Sequence, residues 1–454
     1  YVHTLTRSGR AHYAVVTAMD GVENTRDVSS ANAVGPVDGK VADPEPVLQA
    51  ETFKAGAYKR KADDIITRRY CYWAIPPQAT HPLQYGFVIQ FYPNRIAKPA
   101  ALELSHGKAH TNEPELSRRQ RRDAIMLAGS ADPGIGFYVG ANNCRGTLKS
   151  FRQGTWGPWT INRHLKIIEW VRRNYEIDEQ QIYCYGSHWG MWELRRPDLF
   201  SVFIGWGSAE LTKGFVDWNR AQGLWGPPEM YKGKPDAENP YVMCNFNRYV
   251  SADPGRKLPV QFLTACQGSH TSEMSYPSLP KYKRTLMDAR QPFASDIAKA
   301  SWGNRRPAAL SEFRAGKLVI RRDQSKPAFG NCTLDDNPGC GDMSAGDKYG
   351  MLNGYLLWET ETIVDLSDRW EMTVYLAKSA PLDSCKVDLT PRHCQKFQPR
   401  PGAALKWTNT PTGADKPAGS GTVKADKWSL VTLKQITVSK GKNRIVIEKG
   451  PPPK

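Results

Sequence analysis

Between Ile75 and Ala300 the apolar positions change period repeatedly along the chain. Short runs of strand length, such as Phe87-Val88-Ile89-Gln90-Phe91-Tyr92 and Ala100-Ala101-Leu102-Glu103-Leu104, give way to stretches with helical spacing. Ile161, Leu165, Ile168, Val171 and Tyr175 recur three or four positions apart, which predicts a helix with one buried face. Gln181–Tyr185, Ser201–Trp206 and Leu258–Thr264 read as further strands, and Lys281–Arg290 as a helix. Such alternation is the pattern of a parallel sheet, because each parallel connection needs a long crossover that a helix supplies.

Past Ala309 the helical period stops. Trp370–Leu376, Trp428–Leu433 and Asn443–Glu448 alternate or carry β-branched residues between Gly/Pro/Asn/Asp turns, which predicts a β-sandwich-like part. At the other end Ala11–Ala18 reads as a strand closed by Asp20-Gly21, and Pro36 to Pro46, poor in apolar residues, reads as a linker. No internal repeat is found. The chain divides into residues 1–45, 46–309 and 310–454: an α/β protein with a mainly parallel sheet and flanking β-sandwich-like domains.

Composition narrows the classes. With 40% hydrophobic and 24% charged residues the 454-residue chain is not disordered, and it holds no apolar run long enough to span a bilayer. The formal charge is +17, yet the basic residues are scattered, and the dense runs Lys59–Lys61 and Arg118–Arg122 read as solvated surface. No specific nucleic-acid partner is expected; an acidic surface or a polyanionic polysaccharide would be attracted. None of the nine cysteines forms a CxxC pair, but Cys332 with Cys340 and Cys385 with Cys394 are close enough in sequence to staple short loops. Disulfides there imply an extracellular, periplasmic or cell-surface location, whereas Cys184, Cys244 and Cys266 fit better as small apolar residues. The chain begins at Tyr1 without a signal core, so it reads as a processed or incomplete product.

Two resemblances follow from particular residues. Gly9–Ala18 with Gly21–Asn24 resembles the last two strands of a fibronectin type III module, which implies partner strands upstream of Tyr1. Ile167–Val171, Tyr175–Asp178, Gln181–Tyr183, the turn Gly186-Ser187-His188-Trp189-Gly190 and Arg196–Phe200 together resemble the α/β-hydrolase superfamily. Within it they are similar to secreted esterases: polyhydroxybutyrate depolymerases, feruloyl esterases and prolyl-oligopeptidase-type domains. The turn matches a nucleophile elbow, where a strained strand-to-helix turn lifts one side chain above the sheet. Leu102–Gly107 resembles the strand that ends in His-Gly, implying an oxyanion role for His106 and Gly107. Leu258–Thr264 and Ala289–Phe293 resemble the last strands, after which the family places its acid and its histidine. The resemblance covers roughly half the chain and implies an α/β-hydrolase-like fold.

The chemistry departs from that pattern. Aligning both glycines sets His188 at the nucleophile position and Ser187 one residue early, where its hydroxyl points elsewhere. Gly190–Pro197 is about four residues short, close to one helical turn, and Met191 and Trp192 stand where small residues are usual. No histidine occurs between His270 and His393, so the base position is filled by other residues, with Asp296 and Trp302-Gly303-Asn304 nearby. Glu273 is the one carboxylate in Gly268–Glu273, and with His270 it is either a relocated acid/base pair or part of an ordinary loop. His188 is either the filler of a silent site or a ligand. Two function classes remain. One is an exported protein with a degenerate triad that binds or builds an extracellular or cell-surface assembly. The other is an active serine ester hydrolase, a carboxylesterase or depolymerase, acting on a polymer or polysaccharide ester. The departures favour the first.

Two further constellations stand out. Trp156, Trp159, Trp189 and Trp225 lie near the elbow or predicted loops, where exposed rings would stack on a sugar or an apolar polymer, while Trp170 and Trp206 read as core. Asp335, Asp336 and Asp342 lie on a Gly-rich loop suited either to Ca²⁺ or to plain solvation; the spacing is not that of an EF-hand.

Overall fold

The computed structural model describes residues 8–20, 22–40, 44–54, 64–106, 123–129, 139–189, 191–266, 278–298, 307–339 and 349–449. Strands β1 (Gly9–Ala14), β2 (Ala18–Met19), β3 (Val22–Glu23) and β4 (Ala33–Gly39) form two small ribbons, β1 with β4 and β2 with β3. The first strand therefore has a partner inside the chain, and Pro36, read as the start of a linker, belongs to that partner.

The main sheet opens with β5 (Val47–Lys54), β6 (Ile65–Ala74), β7 (Leu83–Phe91), β8 (Ala100–His106) and β9 (Ala124–Gly129). A short hairpin of β10 (Ala141–Asn142) and β11 (Trp156–Gly157) precedes helix α1 (Trp159–Asn174), followed by β12 (Ile177–Trp189) and β13 (Val202–Ser208). Helices α2 (Val216–Trp225), α3 (Pro240–Met243) and α4 (Phe246–Ser251) lead into β14 (Val260–Cys266), α5 (Ser278–Asp288), β15 (Phe293–Ala298) and α6 (Ala308–Arg314). The chain continues through β16 (Lys326–Gly330), β17 (Asp336–Asn337), β18 (Gly350–Leu352), β19 (Leu356–Asp365), β20 (Arg369–Leu376), β21 (Ser384–Arg392), β22 (Ala404–Pro411), β23 (Gly419–Lys424), β24 (Leu433–Ser439) and β25 (Asn443–Lys449).

Eleven strands make the main sheet, in the order β17-β18-β15-β14-β13-β12-β8-β9-β7-β6-β5. From β15 across to β9 all neighbours are parallel, and antiparallel strands finish both edges. The edge pair β17–β18 comes from beyond residue 309, so the C-terminal part contributes directly to the main sheet. The remaining C-terminal strands form sheets of five (β19-β20-β25-β22-β23) and three (β16-β21-β24).

A parallel sheet must be covered on both faces. On one face Ile182, Cys184, Leu102 and Phe203 pack with Ile167, Ile168 and Val171 of α1 and with Tyr282 and Leu286 of α5. On the other, Tyr183, Val202, Ile204 and Phe262 share a core with Phe313 of α6 and with Trp370, Met372 and Val387 of the C-terminal sheets. The Phe313 ring meets Tyr183 edge-on at 4.8 Å. The C-terminal sheets thus help to close the second face of the main sheet. In α1 the expected Ile168 and Val171 are buried together with Thr160, Arg163, His164, Ile167 and Trp170, while Ile161 and Leu165 are only partly buried at the margin of that face.

The strand expected over Trp428–Leu433 starts only at Leu433. Asp426 is the cause: its Oδ1 accepts from the backbone N–H of Trp428 (2.8 Å) and of Leu430 (2.9 Å), bending the chain into a turn with Ser429 at φ 63°.

Cysteine pairing also differs from expectation. Cys385 and Cys394 are separate free thiols, and Cys340 lies outside the described residues. Cys332 instead meets Cys385, because β16 and β21 run antiparallel and Thr333 N–H still donates to Lys386 O (3.0 Å) beyond the ladder. The Cys332 thiol donates to the Cys385 sulfur; that bond, ahead of burial, raises the first thiol's pKa and lowers the second's.

Candidate functional site

The parallel strands β8, β12, β13, β14 and β15 end in one row, at His106, Trp189, Ser208, Cys266 and Ala298. In open parallel sheets this carboxyl edge is where ligands bind. Ser187 and His188 lie at the end of the central strand β12, whose neighbour β8 ends at His106. The structure therefore places the elbow and the His106 end of β8 on adjacent strands. Gly107, His270 and Glu273 lie outside the described residues, as do Asp342 and Gly190.

The elbow has an unexpected backbone. β12 stays paired with β13 through Ser187↔Gly205 and Trp189↔Ser208, so the chain is extended where a tight turn is expected. After it comes Met191, at φ 23°, and then a single four-residue 3-10 turn, Trp192–Arg195. The shortening expected for the following helix has removed its α-helical form altogether.

That short turn is anchored by side chains of its own. Trp192 packs edge-on to Phe200 at 5.7 Å and stacks near the His164 ring at 6.2 Å. Glu193 is fully buried and accepts the thiol hydrogen bond of Cys184. Burial first, then the charges of Glu193 and Glu103, push that thiol well above its ordinary range, so Cys184 is an inert donor rather than a nucleophile. His164 is held under β9: a Cβ on Gly129 would stand 2.9 Å from its Nε2. These residues brace the elbow from below.

The tryptophans separate by burial. Trp225 is fully buried, with Nε1 donating to Gly140 O at 2.9 Å and its ring edge-on to Tyr241 at 5.2 Å. Trp156 is 7% exposed and shares a small core with Trp225, Tyr231 and Leu224. Neither presents a face for stacking. Trp159 is half-buried, its Nε1 donating to Ala141 O at 2.9 Å, and the Trp189 side chain is not described. Trp170 is core, as expected, against Tyr70 and Phe87.

Asp335 and Asp336 do not act as a pair. Asp335 is buried and takes the backbone N–H of Asn353 on one oxygen (3.1 Å) and of Gly354 on the other (2.6 Å), which makes it a loop anchor. Asp336 is exposed on β17. Among the described residues no group of three His, Cys, Asp or Glu side chains is placed to hold a metal ion. No described helix is long and apolar enough to cross a membrane.

No protein-family model matches the chain, and no curated protein matches it. Among solved structures it is similar to an S-formylglutathione hydrolase from Agrobacterium tumefaciens (10% identity, 56% of this chain, 90% of that one, TM-score 0.38). It is also similar to a glucuronoyl esterase from Solibacter usitatus (12%, 55% and 75%, 0.32) and to oligopeptidase B from Leishmania major (12%, 68% and 47%, 0.33). The chain spans about half the length of that oligopeptidase. The fold rests on the strand order itself: a parallel run with a crossing at β8 and β9, and an antiparallel strand β7 inside one edge, make this an α/β-hydrolase-like fold.

Proposed function

We propose that the chain is an exported protein with a degenerate catalytic triad, acting in the periplasm, at the cell surface or outside the cell. Its role is to bind or build an assembly there, with a polysaccharide or polyester surface as the partner. One observation carries this reading: the elbow strand remains paired through Trp189, and a 3-10 turn follows in place of a helix. A serine nucleophile needs a tight turn that lifts its hydroxyl and a helix start whose N–H groups receive the oxyanion. His188 at the central position adds to this, because an imidazole there leaves no alkoxide to acylate.

The test is covalent labelling with a fluorophosphonate probe together with hydrolysis of a short-chain nitrophenyl ester. No labelling and no hydrolysis are expected. Labelling at Ser187, or hydrolysis abolished by Ser187→Ala, would overturn the reading and establish the ester hydrolase instead.

A further inference from the structure

Trp428 is the most exposed tryptophan among the described residues, at 38%. The Asp426 turn holds it out, while Asp426 Oδ2 is fixed by Arg290 Nη1 at 2.5 Å. The indole borders a cavity of about 380 Å³, near the lower end of small-ligand sites and sized for one sugar unit rather than a chain. Lys257, Arg392, His393, Gln398 and Arg400 also line it, and among the described residues no carboxylate does.

The charge of this cavity is one-sided for structural reasons. Arg392 is buried and donates to the carbonyls of Pro254 (3.0 Å) and Arg256 (2.6 Å), so its cation has fixed position without a carboxylate partner lining the cavity. Burial, then Arg290, lower its pKa to about 10, leaving it charged at neutral pH. His393 donates Nε2–H to Leu258 O at 2.7 Å and is held neutral, mainly by burial. Lys257 and Arg400 are exposed lining residues, Lys257 Nζ donating to Cys394 O at 3.3 Å, and Lys427 Nζ lies 4.2 Å from the centroid of the Trp428 ring. The 38%-exposed indole, whose ring also has Arg290 Cζ 5.5 Å from its centroid, and the three lining cations Lys257, Arg392 and Arg400 fit a ligand that has an apolar ring face and an anionic group.

We infer that this cavity is a subsite for an acidic sugar, its ring against Trp428 and its anionic group between Lys257 and Arg400 above the buried Arg392. The inference rests on the binding half of the proposed function, but it uses none of the elbow residues, so acylation of Ser187 would leave it standing. It also moves the carbohydrate contact from the elbow tryptophans to the C-terminal sheets.

The test titrates the full chain with trigalacturonate, with galactotriose as the neutral counterpart and with sodium sulfate, following tryptophan fluorescence. Trigalacturonate should quench the emission and bind at least tenfold more weakly to Trp428→Ala and to a Lys257→Ala/Arg400→Ala variant. Affinity should fall several-fold between low and high salt without vanishing, since stacking is not screened. All three side chains are solvent-accessible, and unchanged circular dichroism would establish that the variants fold. Equal binding of galactotriose, competition by sulfate at comparable concentration, undiminished binding by the variants, or no binding of trigalacturonate would each overturn the inference.

Discussion

If the protein matures in an oxidising compartment, Cys332 and Cys385 should be joined by a disulfide. Exchange with a low-molecular-weight disulfide balances the reaction: the two thiols lose their hydrogens to give one S–S bond, and the oxidant leaves as two thiols. The bridge would close a loop of about 54 residues, for which the chain-entropy relation gives about 14 cal/mol/K, or about 4 kcal/mol at 25 °C. That loop holds β17 and β18 of the main sheet together with β19 and β20 of the C-terminal sheets. The bridge therefore restrains the segment that ties the two layers together. Both cysteines are buried, at 3% and 5% exposure, so removing a sulfur also leaves a small void costing about 1 kcal/mol. Urea unfolding, with and without reductant, separates the two effects. The wild type should lose about 4 kcal/mol on reduction, and Cys332→Ala/Cys385→Ala should be insensitive to it. Non-reducing peptide mapping should recover the 332–385 linkage. Free thiols at both positions in protein secreted through an oxidising compartment, or an equal response of wild type and variant to reductant, would refute the reasoning.

Other outcomes follow from buried groups. Lys326 is fully enclosed, and burial lowers its pKa to about 7. A depressed folded-state value means that stability is complete above the unfolded lysine's range and is lost as pH falls towards 7; denaturation at pH 7 and 9.5 should show a rise of roughly 2–4 kcal/mol that Lys326→Met abolishes. Gly129→Ala should cost about 1–3 kcal/mol in urea unfolding, because the new methyl meets His164 Nε2 beneath the sheet. Trp225→Ala should cost about 3–5 kcal/mol by emptying the small core and orphaning Gly140 O. By contrast, Trp428→Ala should change the unfolding midpoint little, which the same titration measures.

The sequence was sufficient wherever the deciding interaction is local. A helix at 159–174 and strands at Gln181–Tyr185, Ser201–Trp206 and Leu258–Thr264 follow from side-chain period, because burying one face of a helix or both faces of a strand imposes that period directly. The spacing of these elements also marked the Gly186–Gly190 turn as the end of a central strand. Tertiary structure decided the rest. That Cys332 meets Cys385 depends on the register of β16 against β21, more than 50 residues apart, a contact that proximity in sequence does not reveal. Trp156 and Trp225 are chemically the same residue as Trp428, yet a hairpin and α2 enclose the first two while a carboxylate-built turn exposes the third. The strand expected at Trp428 failed for that reason: Asp426 offers two backbone N–H groups an alternative to the ladder, a competition that hydrophobic period does not register. At the elbow the glycines announced a turn, but pairing with β13 kept the backbone extended, since inter-strand hydrogen bonds outweigh a local preference when a neighbour is in place. Period says which side of an element is apolar; only the assembled sheets decide what covers it.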